Sequence, residues 1–290
     1  MENFNKRKKR SSSRPKFRVW ILFFLIILVL IACFIIYMKD GTLEPGTDID
    51  SSSSSSEYVS DSSSSSDVSV PDSSQGEITT TSPPISGTAT NPVPLCESVG
   101  MDYFKDAVIV GDSISVGISG YGFLPYENVF ASIGLNISKI DTEIMQTAYG
   151  EKTVIEAIKI KQPKIVYIML GSNGISWMTN SAMLDKYGAF VDEIKAALPD
   201  TVVYVISIPP VTSAKETATD YPVTNADIDA YNSDLLTFAN DKGLYFVDLN
   251  TALKNNAGKL DAEIAQKDGM HFKLDAYNTM FDYLMTHVAQ

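Results

Sequence analysis

From Cys96 to the C-terminus, short apolar runs alternate with amphipathic stretches, and this alternation restricts the fold more than any other feature of the sequence. The apolar runs predict strands at 107–110, 129–133, 165–170, 201–208 and 244–249, and the amphipathic stretches predict helices at 151–161, 181–198, 225–242 and 275–287. Strands that alternate with helices favour a parallel sheet covered on both faces. Residues 96–290 are therefore predicted to form one α/β domain that binds ligands beyond the carboxyl ends of its strands.

An uncharged apolar segment precedes this domain. Residues 19–38 are rich in Ile, Leu and Phe and are long enough to cross the hydrocarbon core of a bilayer. Residues 1–18 hold eight Lys or Arg and one acid, and basic residues beside a first span stay in the cytoplasm. We therefore expect a basic cytoplasmic segment at 1–18, a transmembrane signal-anchor helix at 19–38, and a C-terminal domain outside a cell that we expect to be bacterial.

Two other interpretations of the apolar segment stay open. A cleaved secretory signal is disfavoured because the apolar run is long and no small-x-small cleavage site follows it. The sequence Leu30-Ile31-Ala32-Cys33 resembles a bacterial lipobox, in which Cys33 would carry the lipid, although the apolar run continues to Met38. The signal-anchor and the lipoprotein interpretations both attach the protein to the outer face of a membrane.

The region between the apolar segment and the domain, residues 39–95, consists largely of Ser, Thr, Pro, Gly and acidic residues. It has too little apolar surface to fold and is predicted to be a disordered linker. Roughly 55 residues of such coil have a root-mean-square span of about 40 Å, enough to lift a domain away from a membrane. An interaction tail or a carrier of sugar modification is an alternative role for this linker.

Charge and cysteine content exclude several classes of function. After residue 39 the chain holds 14 basic and 34 acidic residues, a net charge of −20, which repels the phosphates of nucleic acids. Cys96 is the only cysteine of the predicted domain, so neither an internal disulfide nor a thiolate zinc site can form there. We therefore expect no nucleic acid partner, no metal and no cofactor.

Residues suited to chemistry follow three of the predicted strands. The first strand is followed by Gly111-Asp112-Ser113, and the third by Gly171-Ser172-Asn173. A serine at a strand-to-helix turn presents its hydroxyl at the edge of the sheet, where it can act as a nucleophile. The side chain of Asn173 and the N–H of Gly134, after the second strand, can donate to an oxygen that develops negative charge. Each segment is also a common turn sequence, so a purely structural role stays open.

The predicted domain contains two histidines. His271 lies in a loop before the last helix, and Asp268, three residues earlier, can fold back to accept the Nδ1 proton of the imidazole. His287 lies on the predicted last helix and is interpreted as a surface residue. His271 is therefore the candidate general base for Ser113, with a solitary surface histidine as the alternative.

Four segments of this chain resemble, in order and spacing, the four blocks of the SGNH, or GDSL-type, hydrolases. The segments are Gly111-Asp112-Ser113, Gly134, Gly171-Ser172-Asn173 and Asp268-Gly269-Met270-His271. The resemblance runs from about residue 106 to the end of the chain. It implies a flavodoxin-like three-layer α/β/α sandwich with a parallel sheet, in an enzyme that hydrolyses or transfers acyl groups on lipids, small esters and carbohydrates. Many members have an Asp after the Asn of the third block, where this chain has Gly174, so the shape of that loop departs from the family pattern.

The resemblance also implies a role for each matched residue. Ser113 would be the nucleophile, His271 the general base, and Asp268 the residue that orients the base. The backbone N–H groups of Ser113 and Gly134, together with the side chain of Asn173, would form the oxyanion hole. The implied enzyme is an extracellular serine ester hydrolase that forms an acyl-enzyme and needs no metal.

The substrate is the least constrained part of the prediction. Candidate walls of the substrate pocket are Trp177, Met178 and the segment 209–224, which suit a sugar face or an acyl chain equally, and Trp177 is alternatively a core residue. A tethered exterior enzyme favours O-acetyl or other short acyl groups on cell-wall or extracellular carbohydrate. The alternatives are an O-acetyltransferase, a lipase or lysophospholipase, and a non-catalytic surface binding module.

Overall fold

The computed structural model describes residues 89–219 and 222–289, which form an α/β domain. Its strands, in chain order, are β1 Ala107–Gly111, β2 Val129–Ala131, β3 Met145–Thr147, β4 Gly150–Lys152, β5 Ile165–Met169, β6 Val202–Ile206 and β7 Tyr245–Val247. Its α-helices are α1 Ser113–Gly120, α2 Val154–Lys161, α3 Asn180–Ala197, α4 Ser213–Glu216, α5 Asn225–Lys242, α6 Leu249–Leu253 and α7 Leu274–Thr286. Short 3₁₀ helices lie at Met101–Asp106, Tyr126–Asn128 and Ile137–Lys139.

Five of the strands form one parallel sheet in the order β2-β1-β5-β6-β7. Alternate residues of a strand face opposite sides of a sheet. Val108 and Val110 of β1 therefore pack on the face covered by α2, α3 and α5, whereas Ala107 and Ile109 pack on the face covered by α1, α6 and α7. The predicted α/β fold with a parallel sheet and flanking helices is confirmed.

The segment after β2 differs from its predicted structure. The helix predicted at 151–161 begins only at Val154, because Gly150–Lys152 pairs with Met145–Thr147 in an antiparallel hairpin. Thr153 and Glu156 then start the helix with a capping box, in which each side chain accepts a hydrogen bond from the backbone N–H of the other residue. The short helices α4 and α6 were not predicted either, because each has less than two turns and too few residues for a helical period.

The basic segment, the signal anchor with its lipobox alternative, and most of the linker lie at 1–88, outside the described residues. In the part of the chain that the structure describes, no helix is both long and apolar enough to cross a membrane. These predictions therefore stay predictions.

The first described residues run along the edge strand β7. Val93 donates its N–H to the carbonyl of Phe246 at 2.8 Å, and the side chain of Asn91 accepts from the N–H of Phe246 at 2.6 Å and donates to the carbonyl of Leu244 at 2.8 Å. Cys96 donates its N–H to the carbonyl of Thr286, at the end of α7. The chain thus enters the domain beside the amino end of β7. This is the end of the sheet opposite to the carboxyl ends of the strands.

Helix α1 packs closely against α7 because it contains Gly117. A Cβ atom at this position would lie 1.8 Å from the hydroxyl oxygen of Tyr277, which donates a hydrogen bond to the carbonyl of Ile114 at 2.7 Å. Tyr277 cannot move away without losing that hydrogen bond, and its side chain is buried. The helix that carries Ser113 is therefore held at a fixed distance from α7.

We expect Gly117→Ala to lower the free energy of unfolding by about 1–3 kcal/mol, the usual cost of an overpacked site. The matched control is Gly120→Ala in the same helix, where an added Cβ has no atom within 4 Å and should not destabilise the domain. Urea denaturation of both variants measures the difference. Equal stabilities would show that the contact between α1 and α7 relaxes without cost.

Candidate active site

The structure brings Ser113, His271 and Asp268 together at the carboxyl end of β1. The Oγ atom of Ser113, the first residue of α1, lies 2.8 Å from Nε2 of His271. The Nδ1 atom of the same imidazole lies 2.5 Å from Oδ2 of Asp268. The three side chains form a continuous hydrogen-bonded chain in which the imidazole can take a proton from the hydroxyl while the carboxylate holds its other nitrogen.

The loop that carries His271 is built around the side chain of Asp268. Oδ1 of Asp268 accepts hydrogen bonds from the N–H groups of Met270 and His271, each at 3.0 Å, which leaves Oδ2 for the imidazole. Gly269 has φ +74°, and its carbonyl accepts from the N–H of Thr212 at 2.9 Å. A Cβ at Gly269 would lie 2.2 Å from Oγ1 of Thr212, so glycine is required there for both reasons.

The hydrogen bonds of Asp268 also determine its protonation. Burial by itself raises the pKa of this carboxyl group, but the hydrogen bonds from the N–H of Met270 and from the side chain and N–H of His271 outweigh burial, so the pKa lies below its ordinary value. Asp268 is therefore ionised at neutral pH, where it keeps the Nδ1 proton in place and stabilises the imidazolium form.

Gly134 and Asn173 follow β2 and β5, the strands on either side of β1. Gly134 has φ +81°, and the side chain of Asn173 donates one hydrogen bond from Nδ2 to the carbonyl of Leu135 at 3.1 Å. Among the described residues, no backbone carbonyl accepts from the N–H of Gly134 or of Ser113. The two N–H groups and the second amide proton of Asn173 are thus available to a substrate oxygen.

Asp112 is a site residue whose properties were not predicted from the sequence. It is 2 % exposed, and its Oδ1 accepts a hydrogen bond from the N–H of Ile114 at 3.0 Å, which caps α1. Burial raises the pKa of Asp112 to about 6, although hydrogen bonds from Ile114 and Ser172 and the charge of His271 act in the opposite direction. The carboxyl group therefore changes charge close to the imidazole in a mildly acidic range of pH.

The raised pKa of Asp112 predicts a pH-dependent stability. A carboxyl group with a pKa of about 6 in the fold, against its ordinary value of 3.8, stabilises the fold fully below about pH 4 and loses this contribution as the pH rises through 6. Asp112→Asn keeps an oxygen to cap α1 and cannot ionise. Relative to the wild type, we expect the variant to gain at most about 3 kcal/mol of stability between pH 4 and pH 8, at 1.36 kcal/mol per pKa unit.

Urea denaturation of the wild type and of Asp112→Asn at pH 4, 5, 6, 7 and 8 measures this gap. Asp106→Asn is the matched control, because Asp106 is exposed and lies at the other end of β1. Its stability difference from the wild type should show no step near pH 6. A gap that stays constant for Asp112→Asn would show that the fold does not raise the pKa of Asp112.

The candidate pocket residues lie beside Asn173. The side chain of Trp177 is 64 % exposed, and its indole N–H donates to the carbonyl of Asn173 at 2.7 Å, so Trp177 is not a core residue. Met178 is partly buried and packs against the core. In the segment 209–224, from which residues 220 and 221 are not described, Thr212 contacts the loop that carries His271.

His287 does not belong to this group of residues. It follows the last residue of α7, whereas His271 precedes the first, and a helix of 13 residues is about 20 Å long. Its ring stacks on Tyr283 with centroids 3.7 Å apart, and its Nδ1 lies 2.9 Å from the carbonyl of the same residue. His287 is thus partly buried against Tyr283, rather than a fully exposed surface residue, at the end of α7 that is farther from Ser113.

A comparison with models of protein families assigns most of the described domain to one family. The model of the GDSL-like lipase/acylhydrolase family matches residues 109–278, a range that includes Ser113, Gly134, Asn173, Asp268 and His271. A search of curated proteins found no significant match.

A comparison with solved structures found several that are similar to this chain. A Streptococcus pneumonia protein described provisionally as a platelet activating factor has a TM-score of 0.50 and 18 % identity, over 62 % of this chain and 81 % of that one. A GDSL-like lipase from Bacteroides thetaiotaomicron has a TM-score of 0.48 and 17 % identity, over 63 % and 87 %. A mutant acetyl-xylooligosaccharide esterase from Geobacillus Stearmophilus has a TM-score of 0.44 and 14 % identity, over 62 % and 91 %.

The family match covers more than half of the chain, and the sheet carries the hydrogen-bonded Ser113, His271 and Asp268 at its carboxyl edge. The chain therefore belongs to the GDSL-like lipase/acylhydrolase family, the SGNH hydrolases, and is a carboxylic ester hydrolase of the GDSL type.

Proposed function

We propose that Ser113 is the nucleophile of this hydrolase, His271 its general base and Asp268 the residue that orients the base. The observation that carries this assignment is the unbroken chain of hydrogen bonds from Ser113 Oγ through His271 to Asp268, at 2.8 Å and 2.5 Å. A serine hydroxyl that keeps its proton is a weak nucleophile and needs an adjacent base to accept that proton. The Nε2 atom of His271 is this base.

The proposed reaction has two steps. In the first, Ser113 Oγ attacks the ester carbonyl while its proton moves to His271 Nε2, and the oxyanion of the tetrahedral intermediate accepts from the N–H groups of Ser113 and Gly134 and from the side chain of Asn173. His271 then returns the proton to the departing alcohol, and an acyl-enzyme remains. In the second step, a water molecule gives a proton to His271 Nε2 while its oxygen attacks the acyl carbonyl. His271 then returns this proton to Ser113 Oγ as the bond between Oγ and the acyl carbon breaks, which releases the acid and free Ser113.

We propose a short acyl group on a carbohydrate, such as an O-acetyl group on a cell-wall or other extracellular polysaccharide, as the substrate. The side chains of His271 and Asp268 are 33 % and 48 % exposed, so the candidate site lies open at the surface. An open site admits one unit of a long polymer, whereas the burial of a long acyl chain requires an apolar cavity of matching length. The exposed indole of Trp177 offers an apolar face beside the site.

The location proposed for this activity is the outer face of a membrane. Its support is the apolar segment 19–38 with the basic residues before it. The described chain enters the domain at the amino ends of the strands, whereas Ser113 lies at their carboxyl ends. This arrangement suits a catalytic face that is directed away from an anchor. Protease added to intact cells should remove the domain, and full protection of the domain would contradict this location.

The substrate proposal is tested with the full-length chain and four kinds of substrate. We expect rapid cleavage of p-nitrophenyl acetate, slower cleavage as the acyl chain lengthens, and release of acetate from acetylated polysaccharide. A preference for long acyl chains or for lysophospholipid would overturn the carbohydrate assignment in favour of a lipase. Acetyl transfer to an added sugar acceptor, in excess of the acetate released, would identify an O-acetyltransferase that uses the same acyl-enzyme.

A further inference from the structure

The loops that follow β2 and β5 are joined by a reciprocal pair of hydrogen bonds. The side-chain Nδ2 of Asn136 donates to the backbone carbonyl of Asn173 at 2.6 Å, and the side-chain Nδ2 of Asn173 donates to the backbone carbonyl of Leu135 at 3.1 Å. The three residues 134–136 therefore supply a candidate oxyanion N–H from Gly134, an acceptor for the side chain of Asn173 and a donor to its backbone.

The orientation of the Asn136 amide follows from its other contact. Its Oδ1 accepts a hydrogen bond from the N–H of Ser138 at 2.8 Å, so the oxygen is held on that side and the NH₂ group faces Asn173. Asn136 is 7 % exposed, and water therefore cannot readily replace either hydrogen bond. The amide is thus fixed at both ends.

This arrangement matters because an oxyanion hole works by preorganisation. Its donors must already point at the position of the oxyanion, since reorganisation during the reaction costs activation free energy. Gly134 and Asn173 lie on loops after different strands, and the sheet alone does not fix the distance between two such loops. The hydrogen bond from Asn136 to Asn173, with its reciprocal partner, restrains that distance.

We propose that Asn136 is a positioning residue of the oxyanion hole, which holds the Gly134 loop and Asn173 in register through its hydrogen bond to the Asn173 carbonyl. The inference rests on the proposed function of Ser113, Gly134 and Asn173. It adds to that function a residue that does not touch the substrate and acts through Asn173.

A purely structural role makes a different prediction, and Asn136→Asp separates the two. The carboxylate of the variant still accepts from the N–H of Ser138, so the start of the 3₁₀ helix Ile137–Lys139 is kept. It cannot donate to the Asn173 carbonyl and places a charged acceptor against it. If Asn136 only caps the 3₁₀ helix, Asn136→Asp should keep the activity that Asn136→Ala loses. If Asn136 positions Asn173, Asn136→Asp should lose at least as much activity as Asn136→Ala.

The experiment measures kcat and KM for p-nitrophenyl acetate with full-length wild type, Asn136→Asp and Asn136→Ala. Rates are counted per Ser113 site titrated with a fluorophosphonate, so that unfolded protein does not contribute. We expect kcat to fall by about 10- to 100-fold in Asn136→Asp, less than the 10²- to 10³-fold loss typical of removing an oxyanion donor, with KM changed by less than about threefold. The inhibition constant of a trifluoromethyl ketone, which forms a tetrahedral adduct, should weaken by the same factor as kcat/KM.

The matched control is Asn128→Asp. Asn128 is 2 % exposed and donates its side-chain N–H groups to the carbonyls of Phe104, Lys105 and Ala107. These contacts lie at the amino ends of β1 and β2, away from Ser113. This variant should lose stability and keep kcat. If the wild type cleaves esters and Asn136→Asp has the same kcat, the positioning role is wrong but the proposed function stands. A wild type that cleaves no ester would overturn the proposed function and this inference with it.

Discussion

Ser113→Ala is expected to reduce ester cleavage by a factor on the order of 10⁴ to 10⁶, the range found when the nucleophile of a serine hydrolase is removed. The reason is geometric. Ser113 Oγ is the atom placed 2.8 Å from His271 Nε2, and Ser113 is the first residue of α1, at the carboxyl end of β1. Without this oxygen no acyl-enzyme forms, and only the binding groups can assist attack by water.

Hydrolysis of p-nitrophenyl acetate and covalent labelling by a fluorophosphonate measure the loss together. Ser115→Ala is the matched control, because Ser115 lies on the same helix, is fully buried and has an Oγ atom without a hydrogen-bond partner in the described structure. We expect the control to keep wild-type kcat and labelling. Substantial labelling of folded Ser113→Ala would assign the nucleophile to another residue.

Asp268→Asn is expected to have the second largest effect, a decrease in kcat on the order of 10⁴-fold, as for loss of the corresponding carboxylate in serine proteases. In the wild type, ionised Oδ2 accepts the Nδ1 proton, so Nε2 is free to accept from Ser113 Oγ. An amide N–H in place of Oδ2 donates to Nδ1 and moves the imidazole proton to Nε2. The histidine then can no longer accept the proton of Ser113.

The change should leave the fold of the loop intact, because the side-chain oxygen that remains in the Asp268→Asn variant can still accept from the N–H groups of Met270 and His271. Thermal unfolding therefore distinguishes a catalytic loss from an unfolded loop. Asp261→Asn is the control. Oδ1 of Asp261 accepts a hydrogen bond from the N–H of Glu263 at 2.9 Å in a similar turn, but Asp261 has no histidine partner among the described residues. If Asp268→Asn kept more than about a third of wild-type kcat, against the loss expected for such a carboxylate, Asp268 would not be the residue that orients His271.

The five strands of the main sheet could be predicted because buried parallel strands are continuous apolar runs, as in Ile165–Met169 and Val202–Ile206. The hairpin of β3 and β4 could not, because its strands have three residues each and, of these six residues, four are polar and a fifth is glycine. Its pairing instead depends on the packing of Met145 into the core and on the turn between the two strands.

The residues of the candidate site could be named from the sequence because each belongs to a short block with its own chemistry. Asp268 and His271 are three residues apart, so one turn can join them, and this contact is local. The roles of Asp112 and Asn136 could not be predicted. The raised pKa of Asp112 results from burial under the rest of the domain, and Asn136 meets Asn173 only because the sheet places the strands before their loops, β2 and β5, on either side of β1.

The sequence by itself determined the α/β class, the family and the identity of the residues able to form a nucleophile, a base and an oxyanion hole. The class follows from hydrophobic periodicity, whereas the family and the residues follow from the resemblance of four short blocks to those of a known family; all of these features lie within a few residues of sequence. Only the tertiary structure decided that Ser113 meets His271 across 158 residues of chain, and that Asn136 links the two oxyanion loops. Such contacts depend on strand order and on burial, because a hydrogen bond between distant residues forms only where the packed sheet brings its two atoms within about 3 Å.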